Sequence, residues 1–476
     1  MLSHLKTLVK HATIRWLLWR EKLNGHADPF ADLPPSAWGF GLTADGHLRI
    51  DDVDVVDLVR AYGTPLHVVS KRRLLETYSS FLESFRAVYP NTVLATSYKT
   101  NPVPGVIAAL HEAGSHAEVI SHLELWLALE LGMPPERIIF NGPGKTTDAL
   151  QLAVDRGIGM INIDGFAEIP LIGQLARNAG RKQKVGLRVT TSVGWSSQFG
   201  LNIANGDAMT AFRQMVETPG LVPCGLHLHL GTGIHDVGTY VRAVRELIAF
   251  SRQLEQSLRI TIDTFDLGGG FGVPTVRTMS PWDVRMMALG YPSRRPDPTS
   301  APKPADYASA LAPLLKELAD RGTPRVVLEP GRAITSGSQV LLLSVLTTKH
   351  GSKGVPYIIT DGGKNITMPL GWETHQIYVA NKLNVPDRMK CHLFGPLCHP
   401  GDILANNVVL PRIVPGDVLA IMDAGAYFIP NQMNFSNPRP PIVMIENAKE
   451  TLLRRRETFS DVFRLDSIVP THHAAA

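Results

Sequence analysis

RIIFNGPGKTTDALQLAVDRGIGMINID, residues 137–164, holds the unit that decides the fold. Its ends, RIIFN and GMINID, are short apolar runs, each closed by a polar residue, Asn141 and Asp164. Between them, TTDALQLAVDRG repeats apolar residues three and four positions apart and stops at Gly157, the pattern of a helix ended by glycine. Strand, helix and strand in so short a span make a parallel crossover.

The same alternation extends from about Val93 to Pro330. The other apolar runs are VLATSYK, HAEVI, KVGLRV, CGLHLHLG, TFDLGG and RVVLEPG, which brings the strands to eight. Near-continuous apolar strands suit a parallel sheet buried on both faces, and eight is the number that closes a barrel. The strand ends carry Lys99, Asn141, Asp164, Arg188, His229, Gly268 to Gly270 and Glu329. In a (β/α)8 barrel those ends share one face, where active sites are built. After Arg332 the pattern changes to short β-type runs, SQVLLLSVLTTK to PIVMIEN, separated by Gly, Pro and Asn turns. The expected architecture is α/β: a (β/α)8 barrel over residues 66–332 and an all-β C-terminal domain over 333–476, completed by an N-terminal segment, 46–65. Residues 1–45 form a basic amphipathic extension. A stretch rich in Pro, Ser and Arg after the seventh strand, PTVRTMSPWDVRMMALGYPSRRPDPTSAPKP, reads as an irregular loop over the barrel mouth.

Composition narrows the function. Of 476 residues, 44% are hydrophobic and 19% charged, ordinary for a chain with a large core. The net charge of +4 is dispersed, without a basic stripe carrying stacking aromatics, so nucleic acid is not an expected partner. No apolar run is long enough to span a membrane, and the N-terminus lacks a secretory signal's continuous apolar core. Three cysteines without a CxxC fit a reducing, cytoplasmic setting, where a thiol acts as a thiol. Nothing in the sequence supports docking to a carrier protein.

Two motifs carry the chemistry. DLGGGFG, from Asp266 to Gly272, ends a strand in glycines whose backbone N–H groups can approach an anion. LEPGR adds Glu329, pointing inward, and Arg332, able to neutralise a phosphate. Lys99 on the first strand is an amine able to form a Schiff base. A lysine, a phosphate cradle, a carboxylate and a histidine suited to stacking are the set that pyridoxal 5'-phosphate requires. No metal is called for.

SYKTN, HLHLGTG, DLGGGFG, LEPGR, GPLCHPGD and GAY stand in the order and approximate spacing of the fold-type III pyridoxal phosphate decarboxylases. The chain resembles diaminopimelate decarboxylases most and ornithine decarboxylases more distantly. The resemblance implies that Lys99 is the Schiff-base lysine, that His229 stacks on the cofactor ring and that Glu329 keeps the pyridine nitrogen protonated. It places Thr232, Gly268, Gly269, Gly270, Arg332 and Tyr427 around the phosphate. Glu118 stands where the family has Asp, near the lysine. A carboxylate at the pyridine nitrogen keeps a strong electron sink and favours decarboxylation over racemisation. The family's head-to-tail homodimer makes Cys398 of one subunit the acid that protonates the carbon left by CO2 in the other barrel, with Asp402 holding its loop.

The chain departs from the family in three places. His399 and Pro400 follow the cysteine where diaminopimelate decarboxylases have Glu-Ser. Met368 and Trp372 stand where many relatives have Arg and Tyr in Arg-Pro-x-x-Tyr, and Gln198 replaces a lysine. An imidazole cannot replace a carboxylate that grips an ammonium group. His399, Asp402, Met368, Trp372 and Lys364 are therefore the expected substrate contacts, in a pocket not built for diaminopimelate. A small-molecule amino acid or amino-acid conjugate, in siderophore or other secondary metabolism, would suit it. A racemase on the same scaffold and a non-catalytic binding relative are the alternatives.

Overall fold

The computed structural model describes residues 10–12, 14, 16, 28, 30–195, 197–298, 301–351 and 354–467. All eight expected strands are present and parallel: Thr92–Ser97, His116–Val119, Ile138–Phe140, Met160–Ile163, Gln183–Thr190, Leu221–His227, Thr264–Asp266 and Arg325–Leu328. The ring closes where Val326 pairs with Thr92, and Ile161 with Val185 bridges the fourth and fifth strands. The opening unit behaves as its pattern requires. Thr146 caps Thr147–Arg156 by accepting from the Ala149 N–H, and Gly157 ends it at φ +64°. Ala149, Leu150, Ala153 and Val154 form the buried face. Each such larger side chain contributes roughly 1.5–3 kcal/mol when fully buried.

The second domain is built on the long strand Gln339–Lys349. One edge of that strand pairs with Val418–Ile421, which also pairs with Ile377–Val379. The strand completing this sheet is Leu66–Ser70, antiparallel to Gln339–Leu342 and parallel to Ile442–Ile445. The domain boundary therefore lies after Ser70, not at residue 65. Both edges of Leu66–Ser70 are paired within this sheet, so the strand has no free edge to give to a barrel. Within 46–65 the chain forms two short strands and the helix Val55–Tyr62 instead. The basic N-terminal segment falls mostly outside the described residues; of those described, Ile14 is buried and His11 bonds the Tyr291 hydroxyl at 3.2 Å.

The segment after the seventh strand is more ordered than its composition suggested. Arg277–Thr278 pairs with Glu373–Thr374 of the second domain, and the helix Pro281–Ala288 follows, capped by Ser280 and Asp283. Asp283 is buried and gathers Arg277 and Arg294, both at 3.0 Å. A buried carboxylate with two guanidinium partners organises a stretch that prolines and serines alone would leave irregular.

Candidate active site

The C-terminal ends of the barrel strands surround a cavity of about 280 Å³. Lys99, Glu118, Asn141, Arg188, His229, Thr232, Gly270, Glu329, Arg332 and Tyr427 all line it. These residues are scattered over more than half the chain, and barrel closure brings them together. Asp164 stands behind the wall, where it accepts from the Gly200 N–H at 3.0 Å and lies 3.6 Å from Arg188.

Lys99 sits just past the first strand in the turn Tyr98–Thr100. Its Nζ donates to Ser97 Oγ and to Glu118 Oε2, each at 2.6 Å. Burial opposes charge on this amine, but Glu118, Glu329 and Tyr427 outweigh it and hold the amine above the ordinary lysine value. Glu118 in turn accepts from Asn141 Nδ2 at 3.0 Å, and the same amide donates to Glu329 Oε1 at 2.6 Å. Asn141 thus spaces two buried acids that would otherwise repel each other.

Glu329 belongs to a buried trio with His227 and Asp266, whose donor atoms lie within 4.8 Å of one another. Burial alone would protonate Glu329, yet His227 and Lys99 keep it well below the usual carboxylate range. Asp266 goes the other way, raised by burial and by Glu329. One acid of the pair therefore stays ionised while the other holds a proton. His227 and Asp266 were missed from the sequence. The signal for His227 was present, because His227 and His229 stand two apart on one strand run and share a face.

His229 is half-buried, its buried Nδ1 has no hydrogen-bond partner among the described residues, and its pKa is lowered to about 3 by desolvation and by Lys99. The ring is neutral at ordinary pH and faces Trp195 at 5.9 Å between centroids. Trp195 and Phe199 form an aromatic wall that sequence periodicity could not reveal, since both lie in an irregular loop.

The glycines divide into two roles. Gly270 lines the cavity, and a Cβ there would lie 2.3 Å from the Gly231 carbonyl oxygen. Gly268 and Gly269 do not line it. A Cβ on Gly268 would sit 2.1 Å from the Leu228 oxygen, and one on Gly269 would sit 2.3 Å from that of Glu329. These two let the strand ends pack, and Gly231 and Gly331 take their expected place on the wall. Arg332 stacks over Tyr427 at 4.9 Å and is held through two nitrogens by Glu373, at 2.7 and 2.8 Å. Glu373 also contacts His375 Nε2 at 3.1 Å, while His375 Nδ1 faces the Met422 carbonyl at 2.8 Å.

The expected substrate contacts are not on this cavity's wall within one chain. Met368 is half-buried, Trp372 is exposed and donates to Glu373 at 3.1 Å, and Lys364 lines a neighbouring cavity. His399 and Cys398 are exposed on the loop between Phe394 and Ile403, where His399 Nδ1 accepts from the Gly401 N–H at 3.0 Å. Asp402 is a correction to the substrate set. It is buried, and its oxygens accept the backbone N–H groups of Lys364 at 2.6 Å and Leu397 at 2.7 Å, so its carboxylate is committed to holding the loop.

A barrel mouth with an amine, an ionised buried acid, a neutral unpartnered imidazole and a glycine-walled basic corner defines an enzyme that works with pyridoxal phosphate. The orphaned Nδ1 of His229 and the Gly270 wall, which no side chain could share, fit that group. Residues 74–336 match the family described as pyridoxal-dependent decarboxylase, pyridoxal binding domain. The diaminopimelate decarboxylase of Methanothermobacter thermautotrophicus is 31% identical over 88% of this chain and 95% of its own length. That of Aquifex aeolicus is 30% identical over 87% and 94%. The crystal structure of the M. jannaschii diaminopimelate decarboxylase covers 91% of this chain and 98% of its own, with a TM-score of 0.81 at 27% identity. The chain belongs to the pyridoxal-dependent decarboxylases, in the branch that contains the diaminopimelate and ornithine enzymes. It is a carboxy-lyase, and its cofactor is pyridoxal 5'-phosphate.

Proposed function

We propose that the chain removes the α-carboxylate of an amino acid, or of an amino-acid conjugate, other than diaminopimelate. The observation that carries this reading is the changed set of distal grips. His399, Met368 and Trp372 stand where an acid, an arginine and a tyrosine are expected, and the nearby Asp402 is committed to backbone N–H groups. A substrate whose far end is apolar, acidic or conjugated fits these residues better than a second amino-acid head. Secondary metabolism, siderophore assembly included, is a suitable setting.

When bound, the cofactor supplies an electron sink for the pair left on the α-carbon as CO2 departs. Lys99 would hold it through its amine. Arg332, Thr232, Tyr427 and the backbone at Gly270 would take its phosphate. Glu329, kept ionised, would hold a proton at the pyridine nitrogen, and neutral His229 would pack against the ring without competing for charge. Cys398 of a second copy would deliver a proton to the substrate carbon, in a head-to-tail homodimer. Its exposure on a loop pinned by Asp402 supports that role, since a donor to another subunit must stand clear of its own domain.

A screen for CO2 release over diaminopimelate, lysine, ornithine, arginine and acidic or acylated amino acids tests the reading. Turnover of an acidic or conjugated substrate with little on diaminopimelate is expected. Strong, selective turnover of diaminopimelate would overturn it. That second reading is favoured by the names of the relatives at 30% and 31% identity.

A further inference from the structure

A second cavity of about 280 Å³ lies between the segment after the seventh barrel strand and the C-terminal domain. Its apolar wall includes Met279, Leu370, Ile403 and Val408. Its charged groups are Lys364, Arg295 and Glu373. Among the described residues Glu373 is the sole acid on the wall, and Arg332, Trp372 and His375 occupy its oxygens. Arg295 donates to the His375 carbonyl at 2.9 Å and lies 3.4 Å from Asp32.

Lys364 is different. Among the described residues its Nζ has no hydrogen-bond or ion-pair partner. The acid that acts on it, Asp402, has both oxygens committed to backbone N–H groups, one of them Lys364's own. Gly371 lies beside the amine on the same cavity wall, where even a Cβ would be 3.6 Å from Nζ, an ordinary contact. Burial lowers this amine to about 8, against the pull of Asp402, so the half-buried side chain is cationic at neutral pH. An unpaired, partly desolvated cation beside an apolar wall binds a carboxylate more strongly than water-exposed lysines do.

We propose that this cavity is a second binding site, for a small molecule whose carboxylate is held by Lys364 and whose apolar body lies against Met279, Leu370 and Ile403. The Arg332–Glu373 pair stands between it and the barrel mouth, with Glu373 on the wall of one cavity and Arg332 on the wall of the other. The carboxylate has two sources: the far end of the substrate, which rests on the reading proposed above, or a separate acid that acts through Arg332.

The test is calorimetric titration of the holoenzyme with phenylbutyrate and with phenylbutyramide, its uncharged match. Phenylbutyrate should bind and the amide should bind more weakly. Lys364→Met should weaken the acid by about tenfold or more and leave the amide unchanged, as loss of a charged hydrogen bond requires. Lys364→Arg should keep the preference for the acid, which guards against a folding defect. No binding of phenylbutyrate, or equal binding to wild type and Lys364→Met, overturns the proposal. Titration in the presence of aminosuberate, an amino acid with a far carboxylate, separates the sources. Displacement of phenylbutyrate assigns the site to the substrate's far end, and simultaneous binding assigns it to a separate acid. The readout is binding rather than CO2, so the decarboxylation screen fails or succeeds independently.

Discussion

Replacing Glu118 by Gln removes one negative charge beside Lys99 while keeping the side chain's shape. The glutamine carbonyl still accepts from Asn141, and its amide still reaches the Ser97 hydroxyl that now donates to Glu118. Only the interaction with Lys99, 2.6 Å away, changes sign. Two unit charges at that distance attract by roughly 6 kcal/mol at an effective dielectric of about 20. Glu329 and Tyr427 stay in place and water re-enters, so the net loss is about 1.5–3 kcal/mol, the range for a hydrogen bond to a charged group. That equals about one to two pKa units. The direction follows from the charge: without its nearest acid, the amine releases its proton at lower pH. A lysine is nucleophilic only as the free amine, so at fixed neutral pH the reactive fraction should grow about ten- to a hundredfold. The assay is the rate of cofactor uptake by stripped enzyme across pH, trapped at intervals with borohydride. The profile should move about one to two units toward acid. An unmoved profile, or one displaced toward alkali, would refute the electrostatic account of Lys99.

Glu329→Gln should retain the cofactor, seen by its absorbance, but lower kcat by about a hundredfold or more, because a neutral amide cannot hold the pyridine proton; an unchanged kcat would remove Glu329 from that role. Lys99→Ala and Cys398→Ala should each be nearly inactive alone, while a refolded mixture should regain roughly a quarter of wild-type activity, the statistical share of intact sites in a two-fold dimer with shared residues. No recovery on mixing would place the cysteine's action within its own subunit. Asp283→Asn should destabilise the protein by about 3–5 kcal/mol, measured by urea unfolding, because it strands Arg277 and Arg294 against a neutral side chain. Burial opposes the Asp283 charge, but Ser280 and the two arginines win and lower its pKa to about 2. Its contribution should be complete above the ordinary value of about 3.9 and vanish as pH falls toward 2, so the gap between variant and wild type should close in acid.

The barrel was legible because its signals are local. An apolar strand buried on both faces, a helix with a 3.6-residue period and a closing glycine are written within a few adjacent residues, as in residues 137–164. The polar strand ends were legible for the same reason, and Lys99, His229, Glu329 and Arg332 all reach the cavity wall. The sequence also contained His399, Met368 and Trp372, the residues on which the proposed change of substrate rests. What it did not contain was partnership. Asn141 bonding Glu329, Glu373 clamping Arg332 and Asp283 gathering its arginines depend on which strands close the ring and which segments fold back. The strand Leu66–Ser70 was placed in the barrel for that reason, since nothing within its five residues, three of them apolar, says which sheet they will join. Charge works in the same way. Glu329 and Asp266 are two similar acids in the sequence, and only His227 and Lys99 beside one of them decide which stays ionised. Periodicity is a property of neighbours along the chain, whereas a carboxyl group's protonation is a property of neighbours in space.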